Sequence, residues 1–456
     1  MSETVFDVVI VGAGQASVPL AQALTGAGKR VALAERRHLG GSCVNFGCTP
    51  TKAVIASAKL AHQARRAAEY GVKVGQIEVD FPEVLARAKR ILLESRESLQ
   101  SSLDEMNGVQ LYRGHARLEG RDEDDFKVLV GESLIRAEQV VLNTGTRTLF
   151  PPIEGLEGVE VIHAENWLEQ TTLPKHLVIV GGSYIGLEMS QFYRRMGSEV
   201  TVVESGEKIA EREDEDVSRA MQELLEAEGI GFRLGTKAKR VARQGEGVVL
   251  SLEDGSEVRA SHLFLASGRK PNTDDLGLDT VGVEVDDRGV VQTDERLRSS
   301  VPGIWVAGDI RGGPMFTHTA YDDFEVLASQ LLGDGAKTTE RIVPYAMFID
   351  PQLGRVGLSE REAREAGKAV KVATYEMKKN GRAREMGEQA GFIKVVVDAG
   401  TDQILGAAVL AAEGAELVHV YIALMNAGAP YSVLERAVHI HPTLSEAVKS
   451  VVRGIA

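Results

Sequence analysis

Two stretches of this chain repeat one sequence grammar, and together they leave few folds open. In the first, Phe6 to Val11 is a short apolar run that ends in Gly12-Ala13-Gly14-Gln15-Ala16-Ser17. Val18 to Leu24 then reads as a helix, with Pro19 in the first turn, where a missing N–H is harmless. Val31-Ala32-Leu33-Ala34-Glu35 follows as a second strand ending in an acid. In the second stretch, Leu177 to Val180 leads through Gly181-Gly182-Ser183-Tyr184-Ile185-Gly186-Leu187-Glu188 to Val200-Thr201-Val202-Val203-Glu204. Each stretch is a βαβ unit with a dinucleotide fingerprint. Gly12 and Gly14, and Gly181 and Gly186, allow the tight turn and the close approach of a pyrophosphate to a helix N-terminus. Glu35 and Glu204 are placed to hold ribose hydroxyls. Ser17 stands where the third glycine is usual in the first unit, and Ser183 where the second is usual in the next; both are small. Two fingerprints predict two bound dinucleotides and an α/β architecture. An acid at Glu204 repels a 2′-phosphate, which predicts NADH rather than NADPH, with Arg212 downstream as the one opposing residue.

A chain of 456 residues exceeds what a single core usually supports. Its 48 glycines and 5% aromatic content fit an α/β protein with many tight strand-to-helix turns. The formal net charge of −14 argues against nucleic acid or an anionic membrane as a partner. No apolar run approaches the roughly 20 residues needed to span a bilayer. The N-terminus lacks a basic region ahead of its first apolar run, so no leader is expected. These features predict a soluble, cytoplasmic protein.

Only two cysteines occur, Cys43 and Cys48, inside Gly40-Gly41-Ser42-Cys43-Val44-Asn45-Phe46-Gly47-Cys48-Thr49-Pro50-Thr51-Lys52. A structural zinc site needs four ligands, and no second Cys or His pair lies nearby. Two inert buried thiols are the plain alternative. Glycines on both sides of the pair let the backbone fold tightly or approach a flat ligand. Thr49 reads as an N-cap and Pro50 as the first helical residue, opening a helix over about Thr51 to Tyr70. A helix N-terminus and the nearby Lys52 both favour a thiolate at Cys48. Such a pair can cycle between disulfide and dithiol, which suits a reducing compartment.

This loop, together with both fingerprints, resembles the flavin-dependent pyridine nucleotide-disulfide oxidoreductases, the family of glutathione reductase, dihydrolipoyl dehydrogenase and mercuric reductase. The resemblance runs from Val5 to about Val452 with the motifs in the family's order. It implies a fold of two Rossmann-like dinucleotide-binding domains, for FAD and NAD(P)H, and a C-terminal α+β dimerisation domain. The expected ranges are 1–150 and 271–340 for the two parts of the FAD domain, 151–270 for the NAD(P)H domain and 341–456 for the interface domain. The resemblance places Gly12, Gly14, Ser17, Glu35, Gly41 and Ser42 at FAD, joined by Thr144 and Gly145 at the end of the Gln139–Thr146 run. Gly308 and Asp309 complete that set, the aspartate closing the Val301–Asp309 strand and bonding the ribitol. Gly181, Ser183, Tyr184, Gly186, Glu204 and Gly268 are assigned to NAD(P)H, with Tyr184 covering the flavin and swinging aside for the nicotinamide. Lys52 and Glu188 match an ion pair beside the flavin ring. Thr317-His318 lies just beyond Asp309 and is expected near the flavin.

From Pro344 the pattern is α+β, with strands at Phe392 to Val397 and Ile404 to Leu410 and a helix from Glu413 to about Ala427. Near the end, Val438-His439-Ile440-His441-Pro442-Thr443-Leu444-Ser445-Glu446 pairs a histidine with a carboxylate five residues on, suited to proton transfer. In the family this stretch reaches the neighbouring subunit's disulfide, so the resemblance implies a homodimer. It also implies a relay from NADH to FAD to the Cys43–Cys48 bridge, with Cys48 against the flavin, Cys43 as interchange thiol and His441, held by Glu446, as proton carrier. The acceptor is expected to be a small-molecule or protein disulfide. Dihydrolipoyl dehydrogenase activity, reduction of mercury or another thiophilic ion, and a slow redox sensor are the alternatives. The runs Cys48-Thr49-Pro50-Thr51-Lys52, Asp350 to Leu358 and Arg384 to Glu388 look most like the mercuric reductase branch. That enzyme's N-terminal metal domain and C-terminal cysteine pair have no counterpart in this sequence.

Overall fold

The computed structural model describes residues 4–122 and 124–455; Met1–Glu3, on which part of the no-leader expectation rests, lie outside the described residues. The apolar run at the start forms the strand Thr4–Val11, buried continuously from Val8 to Val11 as the centre of a parallel sheet must be. It pairs in parallel with Val31–Glu35 on one side and Ser133–Leu142 on the other. Val109–Arg113 extends this sheet beyond Val31–Glu35, and the antiparallel strands Asp125–Val130 and Ala116–Asp122 extend it at the opposite side. Far along the chain, Ile304–Val306 returns to this sheet and adds in parallel to Ser133–Leu142, with Ile304 opposite Val140.

The second βαβ unit builds its own parallel sheet in the order Ile230–Arg233, Glu199–Val203, His176–Val180, His262–Leu265, Val161–His163. A three-stranded antiparallel sheet, Ala238–Gln244, Gly247–Leu252 and Glu257–Ala260, lies within the same stretch. The third sheet is antiparallel throughout and holds Tyr345–Met347, Gln352–Gly357, Ile404–Ala411, Phe392–Asp398 and Val370–Glu376 in that order. The fold is therefore two Rossmann-like units and one α+β unit. A two-stranded ribbon, Thr146–Thr148 with Arg269–Pro271, ties the exit from the first unit to the return from the second.

The cysteine helix begins earlier than its sequence suggests. It runs Cys48–Arg65 with Gly47 as N-cap, and Ala67–Tyr70 is a separate 3₁₀ turn. The first intrahelical bond joins the Thr51 N–H to the Gly47 carbonyl at 2.9 Å. Thr49 is thus inside the helix rather than capping it, and Pro50 sits in the first turn, where no N–H is needed. The next long helix is Phe81–Asp104, started by the Asp80 side chain, which accepts from the Glu83 N–H at 3.1 Å. The helix expected from Glu413 is divided at Val418 into Gly414–Leu417 and His419–Asn426. One apolar cluster joins Val54 of the cysteine helix, Leu85 and Leu92 of Phe81–Asp104, and Phe192 and Tyr193 of the helix Tyr184–Met196. The cysteine helix is thereby seated against the second nucleotide unit.

Candidate active site

The two cysteines open into a cavity of about 770 Å³. Its lining includes Gly12, Gly14 and Glu35 of the first fingerprint, Gly41 and Ser42 of the cysteine loop, Thr144, Gly145, Gly308 and Asp309, and Lys52, Glu188 and Tyr184. Gly12 has φ +95°, and a Cβ there would stand 2.4 Å from the Asn143 carbonyl oxygen. At Gly14 a Cβ would meet Asn143 Oδ1 at 2.5 Å, and at Gly41 it would meet Gly14 Cα at 3.0 Å. Only glycine fits these three positions, and the backbone there is left bare toward the cavity. This cradle, ending at the N-terminus of the helix Ser17–Gly26 and at Glu35, fits the pyrophosphate and ribose of FAD.

Glu35 and Glu204 have the same local geometry. Glu35 Oε2 accepts from the Ala13 N–H at 2.8 Å and Oε1 from the Arg37 N–H at 2.7 Å. Glu204 Oε2 accepts from the Gly182 N–H at 2.6 Å and Oε1 from the Gly206 N–H at 2.8 Å. Both carboxylates are held rigidly at the ends of their strands. A second cavity of about 730 Å³ surrounds Glu204 and is lined also by Gly181, Ser183, Tyr184, Gly268 and Arg212.

Two of the predicted contact residues are packing elements instead. Ser17 is fully buried, donating to the Gly12 carbonyl at 2.6 Å and to Asn143 Oδ1 at 2.9 Å, so it braces the turn from behind. A Cβ on Gly186 would stand 1.9 Å from the Gly181 carbonyl oxygen, so that glycine serves close helix-to-strand packing. Neither residue lines a cavity.

Cys43 and Cys48 are both free thiols, with Cys48 the first residue of its helix. A hydrogen bond from Cys43 is the largest influence lowering the Cys48 thiol, which falls to about 6 with help from Thr317 and Lys52 and against burial and Glu188. Cys43, which supplies that hydrogen and is itself partly buried, is pushed far above the ordinary thiol range. Of the two, Cys48 at the helix N-terminus is the thiol favoured to carry the negative charge. Lys52 Nζ donates to Glu188 Oε2 at 2.7 Å and lies 4.6 Å above the Phe348 ring. Glu188 is only 4% exposed, and its other oxygen accepts from the Phe348 N–H at 2.8 Å. Asp309 is held in the cavity wall, with burial raising its carboxyl above the usual range against Arg269 and Thr146.

His441 Nδ1 lies 3.0 Å from Glu446 Oε1, and Glu446 is fixed further by the Thr443 N–H at 3.1 Å. That N–H and His441 hold the Glu446 carboxyl below its ordinary value. This pair is at the surface of the protomer and lines neither cavity. Nearby Val438 and Ile440 are 97% and 80% exposed.

Several residues at the site carried no sequence signal of their own. Asn143 bridges the first glycine turn to the Ala307 carbonyl at 2.8 Å. Arg269 lines both cavities, and donates to Glu165 at 3.1 Å and to Ser42 at 3.3 Å. Thr317, noted only as a neighbour of His318, places Oγ1 3.2 Å from Cys48 Sγ. His318 itself stacks on Phe316 and bonds the Pro344 carbonyl at 2.7 Å. Among the described residues no helix is long and apolar enough to cross a membrane, and no group of three or more His, Cys, Asp or Glu is arranged to hold a metal ion.

Residues 6–323 match the family model described as pyridine nucleotide-disulphide oxidoreductase, and residues 343–452 match that family's dimerisation domain. The chain is 32% identical over 448 residues to the probable pyridine nucleotide-disulfide oxidoreductase RclA of Escherichia coli, covering 97% of this chain and 98% of that one. It is 33% identical over 457 residues to a mercuric reductase of Streptomyces lividans, covering 98% and 96% of the two chains. A dihydrolipoyl dehydrogenase of Halobacterium salinarum is 34% identical over 450 residues, covering 97% and 94%. The solved Cu(II) complex of the HOCl-induced flavoprotein disulfide reductase RclA from Escherichia coli superposes with a TM-score of 0.90 at 31% identity, over 99% of each chain. The chain belongs to the pyridine nucleotide-disulphide oxidoreductases, flavoenzymes that use FAD and a pyridine nucleotide to act on disulfides.

Proposed function

We propose that this oxidoreductase takes its electrons from NADH and delivers them, through Cys43 and Cys48, to an external disulfide, working as a cytoplasmic homodimer. The observation that carries the reading is that both thiols line one cavity with Lys52, Glu188 and the first glycine turn, Cys48 standing as the first residue of its helix, a position that favours a thiolate there. Gly12, Gly14, Glu35, Gly41, Ser42, Thr144, Gly145, Gly308 and Asp309 would hold FAD, which when bound supplies two-electron transfer between nicotinamide and cysteine pair. Glu204, its carboxylate fixed by backbone N–H groups, favours a ribose with free hydroxyls, which supports NADH over NADPH. Tyr184 borders both cavities and suits a residue that separates the two cofactors.

Cys43 must lose its proton before it can attack. His441 of the partner subunit takes that proton. Cys43 then attacks one sulfur of the substrate disulfide; the substrate S–S bond breaks, a mixed disulfide forms on Cys43, and the leaving thiolate recovers the proton from the imidazolium. Cys48 next attacks Cys43 Sγ, releasing the second substrate thiolate and closing the Cys43–Cys48 bridge. Cys43→Ser should keep its flavin and its NADH oxidation by artificial acceptors and lose disulfide reduction. Retention of disulfide reduction by that variant would refute the reading.

A second reading, reduction of a thiophilic metal ion at the same pair, is favoured by the Cu(II) complex of RclA. Two thiols with one ionised near neutral pH form a soft site. NADH-dependent loss of Cu(II) faster than reduction of any disulfide tested would select it.

A further inference from the structure

Cys48 is approached by two helix N-termini. It is the first residue of Cys48–Arg65, and Thr317, whose hydroxyl lies 3.2 Å from Cys48 Sγ, is the first residue of Thr317–Leu332. Both termini favour negative charge between them. The Thr317 hydroxyl acts on both sulfurs of the pair, lying 3.2 Å from Cys48 Sγ and also hydrogen-bonding Cys43, and toward a thiolate a hydroxyl can only donate.

The segment that presents Thr317 is clamped by rings from another part of the chain. Phe316 lies parallel to Tyr345, with centroids 5.5 Å apart and planes 5° apart, and parallel to His318 at 5.3 Å and 8°. His318 Nε2 bonds the Pro344 carbonyl at 2.7 Å, so both neighbours of Thr317 are tied to Pro344-Tyr345. Tyr345 is in turn fixed by its hydroxyl, which donates to Glu213 Oε1 at 2.5 Å. Glu213 is held by Arg355 at 2.8 Å, and both are almost fully buried. An exposed threonine on a loop has rotamers to choose among; this one sits between two anchored rings.

We propose that Thr317 is a catalytic residue that donates a hydrogen bond to the Cys48 thiolate, and that Phe316 and Tyr345 are positioning residues whose stacked rings hold it there. The proposal rests on the assignment of Cys48 as the thiolate. The other titratable groups facing Cys48 are Cys43 on the same loop, Lys52 on its own helix and Glu188 on Tyr184–Met196. Lys52 and Glu188 are unaltered by changes at 316, 317 or 345, and Cys43, which Thr317 also hydrogen-bonds, is followed separately in the same experiment.

The test is the pH profile of Cys48 alkylation by iodoacetamide in the reduced holoenzyme, followed by peptide mass spectrometry, which also separates Cys48 from Cys43. The natural chain should show an inflection near 6. Thr317→Val should move it upward by about one pH unit, the size expected for one hydrogen bond to a charged group, and Thr317→Ser should restore it. Phe316→Leu should move it in the same direction by less, and Phe316→Tyr, which keeps the ring, should not. An unmoved inflection in Thr317→Val, with FAD retained, overturns the role of Thr317. A shift in Thr317→Val with none in Phe316→Leu overturns the role of the rings. An inflection in the ordinary thiol range for the natural chain overturns the thiolate assignment itself, and the two failures are therefore told apart.

Discussion

At the scale of single residues, the site depends on partners far apart in sequence. Glu165 illustrates this. Burial alone would raise its carboxyl, but the His163 hydrogen bond, the Arg269 cation and Thr148 outweigh it and bring the carboxyl down to about 2. Its folded value is below its unfolded one, so its stabilisation is present above about pH 4.5 and is lost as pH falls through about 2. The difference corresponds to on the order of 3 kcal/mol at neutral pH. Glu165→Gln should therefore unfold at lower denaturant than the natural chain at pH 7, and the gap should narrow steadily as pH falls from about 4.5 toward about 2; a constant gap across that range counts against the assignment. The sequence supplied no hint of Glu165, because its cationic partner Arg269 is 104 positions away. The same holds for Thr317, 269 positions from Cys48, and for Asn143, 126 from Ser17. Cys43, Cys48, Glu35 and Glu204 were legible because each belongs to a local motif whose spacing is itself the chemistry.

At the scale of elements, glycine turns and alternating strand and helix patterns announced both nucleotide units, and the pairing of Glu35 with Ala13 and of Glu204 with Gly182 repeats at a spacing of 22 residues in each. The start of the cysteine helix was less legible. Thr49-Pro50 is a good opening signal, but Gly47 leaves the chain free to begin the helix sooner, and this puts Cys48 itself in the first turn. One turn on, Lys52 bonds Glu188 across to Tyr184–Met196, so a single ion pair joins the redox helix to the nucleotide helix. Lys52→Met strands Glu188, which is 4% exposed, with only the Phe348 N–H as partner. A broken buried pair costs about 3–5 kcal/mol; Lys52 is 33% exposed, and solvent at that end reduces the expected loss to about 2 kcal/mol. Guanidinium unfolding of the holoenzyme measures this, and Glu188→Gln, which keeps an acceptor for Phe348, should lose less. Lys52→Met should also raise the Cys48 thiol, since the nearby ammonium favours the thiolate.

At the scale of the whole molecule, one protomer does not place His441, the proton carrier proposed above, in the cavity that holds its own thiols. His441 and Glu446 are hydrogen-bonded and ready at the surface, beside Val438 and Ile440, whose exposure of 97% and 80% is far above what isolated apolar side chains on a compact chain need. The chain carries its family's dimerisation domain over residues 343–452, which contains all four of these residues. If each site is completed by the other copy, two inactive variants should repair one another. Cys43→Ser retains His441 and lacks the interchange thiol, while His441→Gln retains both thiols and lacks the proton carrier. In a hybrid dimer, one site joins the intact thiols of the second variant to the intact histidine of the first, and the other site has neither. The hybrid, purified through two different affinity tags, should show about half the disulfide reduction of the natural dimer per pair of chains, although each parent shows little. If His441 served the thiols of its own chain, both sites of the hybrid would carry a defect and no activity would return.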